Sequence, residues 1–314
     1  MSSVAPTAQR VNLVQLQDGI PMYLWRRSIS FLTIREQAVS VRGMSRFFRE
    51  CSDAYMKNFW SEPILRLPQD ASSPARAMEM CQYLMEQEGY VEGTIVVVAL
   101  GRGVHKVIGS WKSPFSGRTY QQMLSIPCDN LSFVGKGEGE TTVHGGLVAE
   151  DGRSLSIADL TVKNSCGPGL YAHEMGTKMD LHKVMIEECQ YSGVNVGDGA
   201  EFVATDCQFR QNGGGLGVLV SGSMTTARLT NCTFHHNKSD GVGANCGAVV
   251  DLMGEGTSMH GNKKHGLYAL SHGSTINVYQ PCVLNDMSHG NKGQNIVMGR
   301  GGIVQTKIIK DNKQ

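Results

Sequence analysis

Three short polar stretches recur at nearly equal spacing: Glu150-Asp151, His173-Glu174 and Gly197-Asp198. If the chain winds once per repeat, Glu150, Asp151, Glu174 and Asp198 stack into one cluster with His173 among them. Adjacent rungs of β-structure lie about 4.8 Å apart, so side chains one repeat apart can act together. Carboxylates at that separation can supply acid and base to a glycan or gather oxygens around Ca²⁺. The other reading is a solvated turn rim, and the same column continues as Ser221, Asn245 and Ser271, so the acidity is not sustained.

The remaining candidates for chemistry are weaker. His235-His236 and the run from His260 to His265 have no carboxylate at ligand spacing and read as surface corners rather than a metal site. No Gly-x-Ser-x-Gly nucleophile turn occurs. Gly135-Lys136-Gly137-Glu138-Gly139 lacks the Gly-Lys-Ser/Thr ending of a phosphate loop. No metal and no cofactor is expected, and no intrinsic catalysis. If the chain is an enzyme, Glu150, Asp151, His173, Glu174 and Asp198 are the residues to carry the reaction.

The elements that would position these residues are written in a repeated phrase. It reads Gly146-Leu-Val-Ala, Gly169-Leu-Tyr-Ala, Gly193-Val-Asn-Val, Gly217-Val-Leu-Val, Gly241-Val-Gly-Ala and Gly266-Leu-Tyr-Ala, with glycines 23, 24, 24, 24 and 25 residues apart. A fixed period of this size marks a solenoid. Each phrase alternates with period two, so it is a short strand whose first and third side chains face inward. Leu170, Val194, Val218, Val242 and Leu267 should then form one buried file. The outward residues include Tyr171, Asn195 and Tyr268, which form a candidate ligand face able to stack on sugar rings or grip a peptide.

A second phrase follows about 14 residues later. Leu160, Val184, Cys207 and Cys232 form one inward column, and Val162, Ile186, Phe209 and Phe234 another. Asn164, Asn212, Asn237 and Asn262 stand four or five residues before the repeat glycines. Asn and Gly tolerate the left-handed backbone of a sharp corner, and stacked Asn side chains can bond to their equivalents one coil away. Two strand columns and an Asn-Gly corner per coil predict an all-β chain: a right-handed parallel β-helix of about 24-residue coils over 94–309. A leucine-rich repeat would need a regular Leu-x-x-Leu-x-Leu frame, which is absent.

Ahead of the coils lie a leader (1–18), a helical stretch (19–67) and a linker with a capping helix (68–93); a polar tail (310–314) follows them. In the linker, Pro74 opens a helix with Ala77, Met80, Cys81 and Leu84 on one face. Such a helix can cover the open end of a solenoid.

Composition narrows the rest. Of 314 residues 38 are Gly, 40% are hydrophobic and 18% are charged. The net charge of +1 points to no nucleic acid. Residues 1–67 carry nine Lys or Arg against five acidic residues, and the remainder carries 20 against 23; this asymmetry suggests two units. The nine Cys include no C-x-x-C pair, and several fall at inward positions, so they read as reduced thiols of the cytoplasm or nucleus. No secretion signal opens the chain. Its longest apolar run, Ile95 to Leu100, is too short for a bilayer.

Two family resemblances follow. Ile20-Pro21, Ser30-Phe31-Leu32, Thr33-Ile34-Arg35-Glu36, Gly43-Met44-Ser45-Arg46-Phe47-Phe48-Arg49 and Phe59-Trp60 resemble the F-box in order and spacing. The resemblance implies that Pro21, Leu24, Phe31, Leu32, Ile34 and Met44 contact a Skp1-type adaptor. Gly43-Met44 departs from the usual Val and weakens the second helix. The repeats resemble the CASH-type carbohydrate-binding and sugar-hydrolase repeats of pectate-lyase-like β-helices. Together these resemble F-box-only proteins that carry a β-helix, which implies a substrate receptor of a cullin ubiquitin ligase whose β-helix face takes an unknown protein or glycan. The alternative implied by the repeats alone is a polysaccharide lyase, epimerase or hydrolase, or a glycan-binding solenoid.

Overall fold

A computed structural model describes residues 64–85, 93–114 and 116–308, all within the unit Met56–Gln314. The F-box-like residues Pro21, Leu24, Phe31, Leu32, Ile34 and Met44, and with them residues 1–63, lie outside the described residues.

The chain coils as a right-handed parallel β-helix. An eight-stranded sheet contains every repeated glycine phrase, and its strands pair in parallel. The expected buried file is present: Leu147, Leu170, Val194, Val218, Val242 and Leu267 are register partners in succession, and all are fully buried. Val162, Ile186, Phe209 and Phe234 form a parallel file on another face, and the rings of Phe209 and Phe234 stack with centroids 4.9 Å apart.

Each coil has three faces, not two. The long strands Ser154–Lys163 and Lys178–Glu187 turn a corner at Asp159 and Lys183, whose φ angles are 53° and 51°. On later coils the same corner, at Asp206 and Asn231, separates the strands. The first face therefore holds Glu201–Thr205, Thr226–Thr230, Val249–Met253 and Thr275–Tyr279. The second holds Gln208–Arg210, Thr233–His235, Ser258–His260 and Ser288–His289. The glycine phrases are the third face. Phe202-x-Ala204, Ala227-x-Leu229 and Val250-x-Leu252 are inward pairs on the first face.

The repeated glycines act by close approach rather than by backbone freedom. A Cβ on Gly169, Gly193, Gly217 or Gly241 would lie 2.6 to 2.8 Å from the carbonyl oxygen of the corresponding glycine one coil on. Any side chain there would push the rungs apart. The left-handed positions fall elsewhere. Asn164 (φ 56°) is such a corner, one residue before the Asn ladder that sequence spacing assigns it to. The ladder is Asn212, Asn237, Asn262 and Asn291. Each of the first three donates from Nδ2 to the next Oδ1 at 2.9 to 3.1 Å.

The rungs begin ahead of residue 94. Ile64–Leu67 is a strand paired in parallel with Val96–Leu100, although it falls in the stretch read from sequence as helical. Leu65 and Leu67 are fully buried, which gives the short segment a core face. Helix α1, Pro74–Met85, packs on these opening strands through buried Ala77, Met78 and Cys81. At the other end Ile303–Lys307 pairs with Thr275–Tyr279. The eight cysteines among the described residues are unpaired thiols.

Candidate functional site

The structure brings the sequence-predicted cluster together only in part. His173 Nε2 lies 3.1 Å from a carboxylate oxygen of Glu150, and its Nδ1 lies 3.6 Å from Glu174. Glu150 accepts two further hydrogen bonds, from Trp111 Nε1 at 3.1 Å and from the Ser125 hydroxyl. These donors, led by His173, hold the Glu150 carboxyl at about 2. An ionised carboxylate only accepts, so Nε2 of His173 carries the proton in this pair.

A hairpin covers the pair. Ser110–Lys112 and Thr119–Gln121 pair antiparallel and lay Trp111 over the outward side of the third face. The Trp111 ring sits 4.8 Å from that of Tyr171, and His173 is left 1% exposed. Tyr171, expected to be open, is half-buried beneath this cover. Burial raises its hydroxyl above its ordinary range. The hairpin's Trp111 and Tyr120 and the corner Tyr191 are contributors that repeat spacing does not reveal. Their signal is a break in the period, with Ser113, Pro114 and Gly117 marking a turn between two alternating stretches.

The other carboxylates are turn residues. Asp151, Glu174 and Asp198 occupy left-handed positions with φ of 59°, 79° and 52°. Asp151 pairs with Arg153 at 3.1 Å, and Glu174 accepts from the Asp151 backbone N–H at 3.0 Å. Among the described residues no group of three or more His, Cys, Asp or Glu is arranged to hold a metal ion.

The ligand-face residues share a column without forming one surface. Tyr171 and Asn195 are register partners, followed by Leu219, Gly243 and Tyr268. Leu216 occupies the space a side chain at Gly243 would take. Tyr268 stacks on His265 with centroids 6.5 Å apart.

An open cleft lies instead on the second face. Its volume is about 380 Å³, and it is lined by Asp206, Cys207, Gln208, Asn231, Thr233, His235 and His260. Its histidines are on strands, not at the corners expected from the neighbouring asparagines. Their rings stack in parallel with centroids 5.0 Å apart, and His236 Nδ1 lies 2.9 Å from His235 Nδ1. Burial, then His260, His236 and Arg210, holds His235 down to about 4. Burial, then His289 and His236, lowers His260. Both rings are therefore neutral at pH 7, with one donor and one acceptor nitrogen each. Gln208 Nε2 donates to Glu138 at 3.1 Å across the rim. Above the cleft, Glu187 is clamped by Arg210 at 2.7 Å and Lys163 at 3.0 Å; burial raises its carboxyl, and these two cations outweigh that and leave it below its ordinary value.

Residues 136–283 match the family model of the right handed beta helix region. No curated protein matches this chain. Among solved structures, pectate lyase Pel9A is 9% identical with a TM-score of 0.41 and covers 70% of each chain. ORF18 of Geobacillus virus E2 is 9% identical with a TM-score of 0.45, covering 85% of this chain and 65% of that one. The A-module of Azotobacter vinelandii mannuronan C-5 epimerase AlgE4 is 13% identical with a TM-score of 0.28, covering 70% and 90%. These likenesses concern architecture.

Proposed function

We propose that this chain is a recognition protein whose β-helix binds a carbohydrate-type ligand in the second-face cleft without chemistry of its own. The observation that carries this reading is the contrast between the two sites. The carboxylate–imidazole pair of Glu150 and His173 lies beneath the Trp111 hairpin, with His173 buried and Glu150 taken up by hydrogen bonds from His173, Trp111 and Ser125. The open cleft is lined by amide, hydroxyl and neutral imidazole groups with one carboxylate, Asp206. Glycoside hydrolysis in most enzymes takes two carboxylates flanking the bond; here Asp206 alone lines the cleft, and the rim carboxylate Glu138 is engaged by Gln208. Amides and neutral imidazoles suit sugar hydroxyls, which both donate and accept. A glycan array on the full chain, repeated with Gln208→Ala and Thr233→Ala, tests the reading. Bound sugars lost in both variants support it; sugars bound equally by the variants contradict it.

A second reading is favoured by one sequence observation, the F-box-like order of residues 20–60. Under it the chain is a substrate receptor that docks a Skp1-type adaptor through Pro21, Leu24, Phe31, Leu32, Ile34 and Met44, in the cytoplasm or nucleus, and the β-helix presents the target-binding wall. The two readings are compatible, since a receptor can recognise a glycosylated target. Co-purification of the full chain with a Skp1-type protein, lost in Leu24→Asp/Phe31→Asp, is the expected result; no co-purification removes this reading and leaves the first intact.

A further inference from the structure

The three faces of the coil end together at one rung. Ser288–His289, Ile296–Gly299 and Ile303–Lys307 pair back onto the coil before them. Among the described residues no strand pairs with the outer side of any of the three. On the coils before it, inward residues are buried between their equivalents on either side; here the file is open. Ile296 and Met298 are the register partners of buried Leu267 and Ala269, and Val304 is the partner of buried Ile276. Met298 is nevertheless 58% exposed, and Ile296 and Val304 are only half-buried.

The backbone of Ile303–Lys307 is satisfied on one side. The Ile303 N–H donates to the Ser274 carbonyl, and the Lys307 carbonyl accepts from the Gln280 N–H. Alternation along the strand then turns the backbone groups of Val304 and Thr306 to the outer side. There the Val304 N–H donates to Met298 Sδ at 3.2 Å. A thioether is a weak acceptor, and it holds the place that the carbonyl of a further strand would take. The charge at this rung has one sign. Residues 287–308 contain Lys292, Arg300 and Lys307 and no Asp or Glu. All three cations are exposed, and none of the described ion pairs includes them. Arg300 stands just before the strand and Lys307 closes it, so the free edge has a cation at each end.

We infer that this edge takes an extended acidic peptide of a partner protein, added as a further rung along Ile303–Lys307. Strand addition draws affinity from main-chain hydrogen bonds and specificity from alternate side chains. A peptide carbonyl replaces Met298 at the Val304 N–H. Its apolar side chains continue the inward file over Val304, and acidic residues at its ends meet Arg300 and Lys307. A second copy of this chain fits less well, because its matching end brings the same three cations. A polyanionic glycan or polynucleotide would meet the cations and leave the edge amides and the apolar file unused. The other account of the charges is that they guard the edge against pairing, and it predicts no binding. The second-face cleft plays no part in this site.

The test is fluorescence anisotropy of the full chain with a labelled peptide of alternating valine and threonine between two glutamates. One comparison peptide carries lysines in place of the glutamates, and another carries N-methyl groups on its backbone amides. Arg300→Asn/Lys307→Gln removes the charges at exposed positions, and Asn keeps the left-handed backbone of residue 300. Val304→Pro removes the outer-edge N–H, at a position where an edge strand accepts proline. The expected result is a bound glutamate peptide, with the comparison peptides roughly tenfold weaker. The charge variant should weaken it by roughly fivefold to tenfold, and Val304→Pro by about fivefold. Thermal unfolding reads whether each variant keeps its fold, and the charge variant decides if Val304→Pro does not. No peptide bound, glutamate and lysine peptides bound equally, or binding unchanged in the charge variant would overturn the inference. So would heparin held by Arg300 and Lys307 in place of the peptide, or a dimer of the free chain in sedimentation that Val304→Pro dissolves.

Discussion

Nε2 of His173 lies 3.1 Å from the carboxylate of Glu150, and the two residues are one coil apart on the third face. The contact ties two rungs together under the Trp111 hairpin. Glu150 is held at about 2 against an ordinary 4.5. Its folded value is depressed, so its contribution is complete above about 4.5 and is lost as pH falls toward 2. The depression corresponds to at most about 3 kcal/mol. Glu150→Gln should destabilise the protein by roughly 1–3 kcal/mol at pH 7 and flatten the stability profile between pH 4.5 and 2. Denaturant titrations across that range measure both effects.

The stacked glycines give a second test. A Cβ on Gly217 would lie 2.7 Å from the Gly241 carbonyl oxygen and 3.1 Å from Asn237 Nδ2. Gly217→Ala should cost roughly 1–3 kcal/mol through displaced rungs, whereas the exposed, left-handed Gly290, with nothing within 4 Å, should lose less when changed to Asn. Thermal unfolding of the two variants separates close approach from backbone freedom.

The Asn ladder is the third. Asn237 Nδ2 donates to the Phe209 carbonyl at 3.0 Å and to Asn262 at 3.0 Å, and its Oδ1 accepts from the Asn212 backbone and side chain at 3.2 and 3.1 Å. Asn237→Ala strands these buried partners. Each unsatisfied group costs about 1–3 kcal/mol, so a loss of roughly 3 kcal/mol or more is expected. Hydrogen exchange should show faster opening at Asn212 and Cys189, the rungs before it.

The histidine file sets the pH response of the second face. The folded His235 is held near 4, below its ordinary 6.5, and His260 is lowered too. For a depressed histidine the stabilisation is complete above the ordinary value and is lost as pH falls from about 6.5 toward 4. This window lies above that of Glu150, so acid unfolding should proceed through two limbs. His235→Gln should remove part of the upper limb and leave the lower one unchanged, as read from stability measured between pH 7.5 and 3.

Much of this architecture is legible in the residues. The Gly-[Leu/Val]-x-[Ala/Val] phrase reports the third face because each inward residue is buried by its own equivalents. The first face escapes a reading by repeated words. Met179-x-Leu181, Phe202-x-Ala204 and Ala227-x-Leu229 keep the alternation but change identity from coil to coil, since packing asks only for apolar volume there. The site is harder to read. Glu150 and His173 can be placed on one rim from spacing alone, but their cover comes from Trp111, which belongs to a hairpin outside the repeat. Conversely, Asp151, Glu174 and Asp198 look like chemistry and serve as left-handed turn residues.

The proposed function divides the two faces: sugar binding at the open second-face cleft, and no reaction at the Glu150–His173 pair covered by the Trp111 hairpin. The most direct measurement is a glycan array on the full chain, followed by incubation of every bound glycan with wild type and Glu150→Gln and mass analysis of the products. The account predicts glycans that are bound, left intact by both proteins, and lost from the array in Gln208→Ala and Thr233→Ala. A glycan cleaved or epimerised by wild type and spared by Glu150→Gln would contradict it.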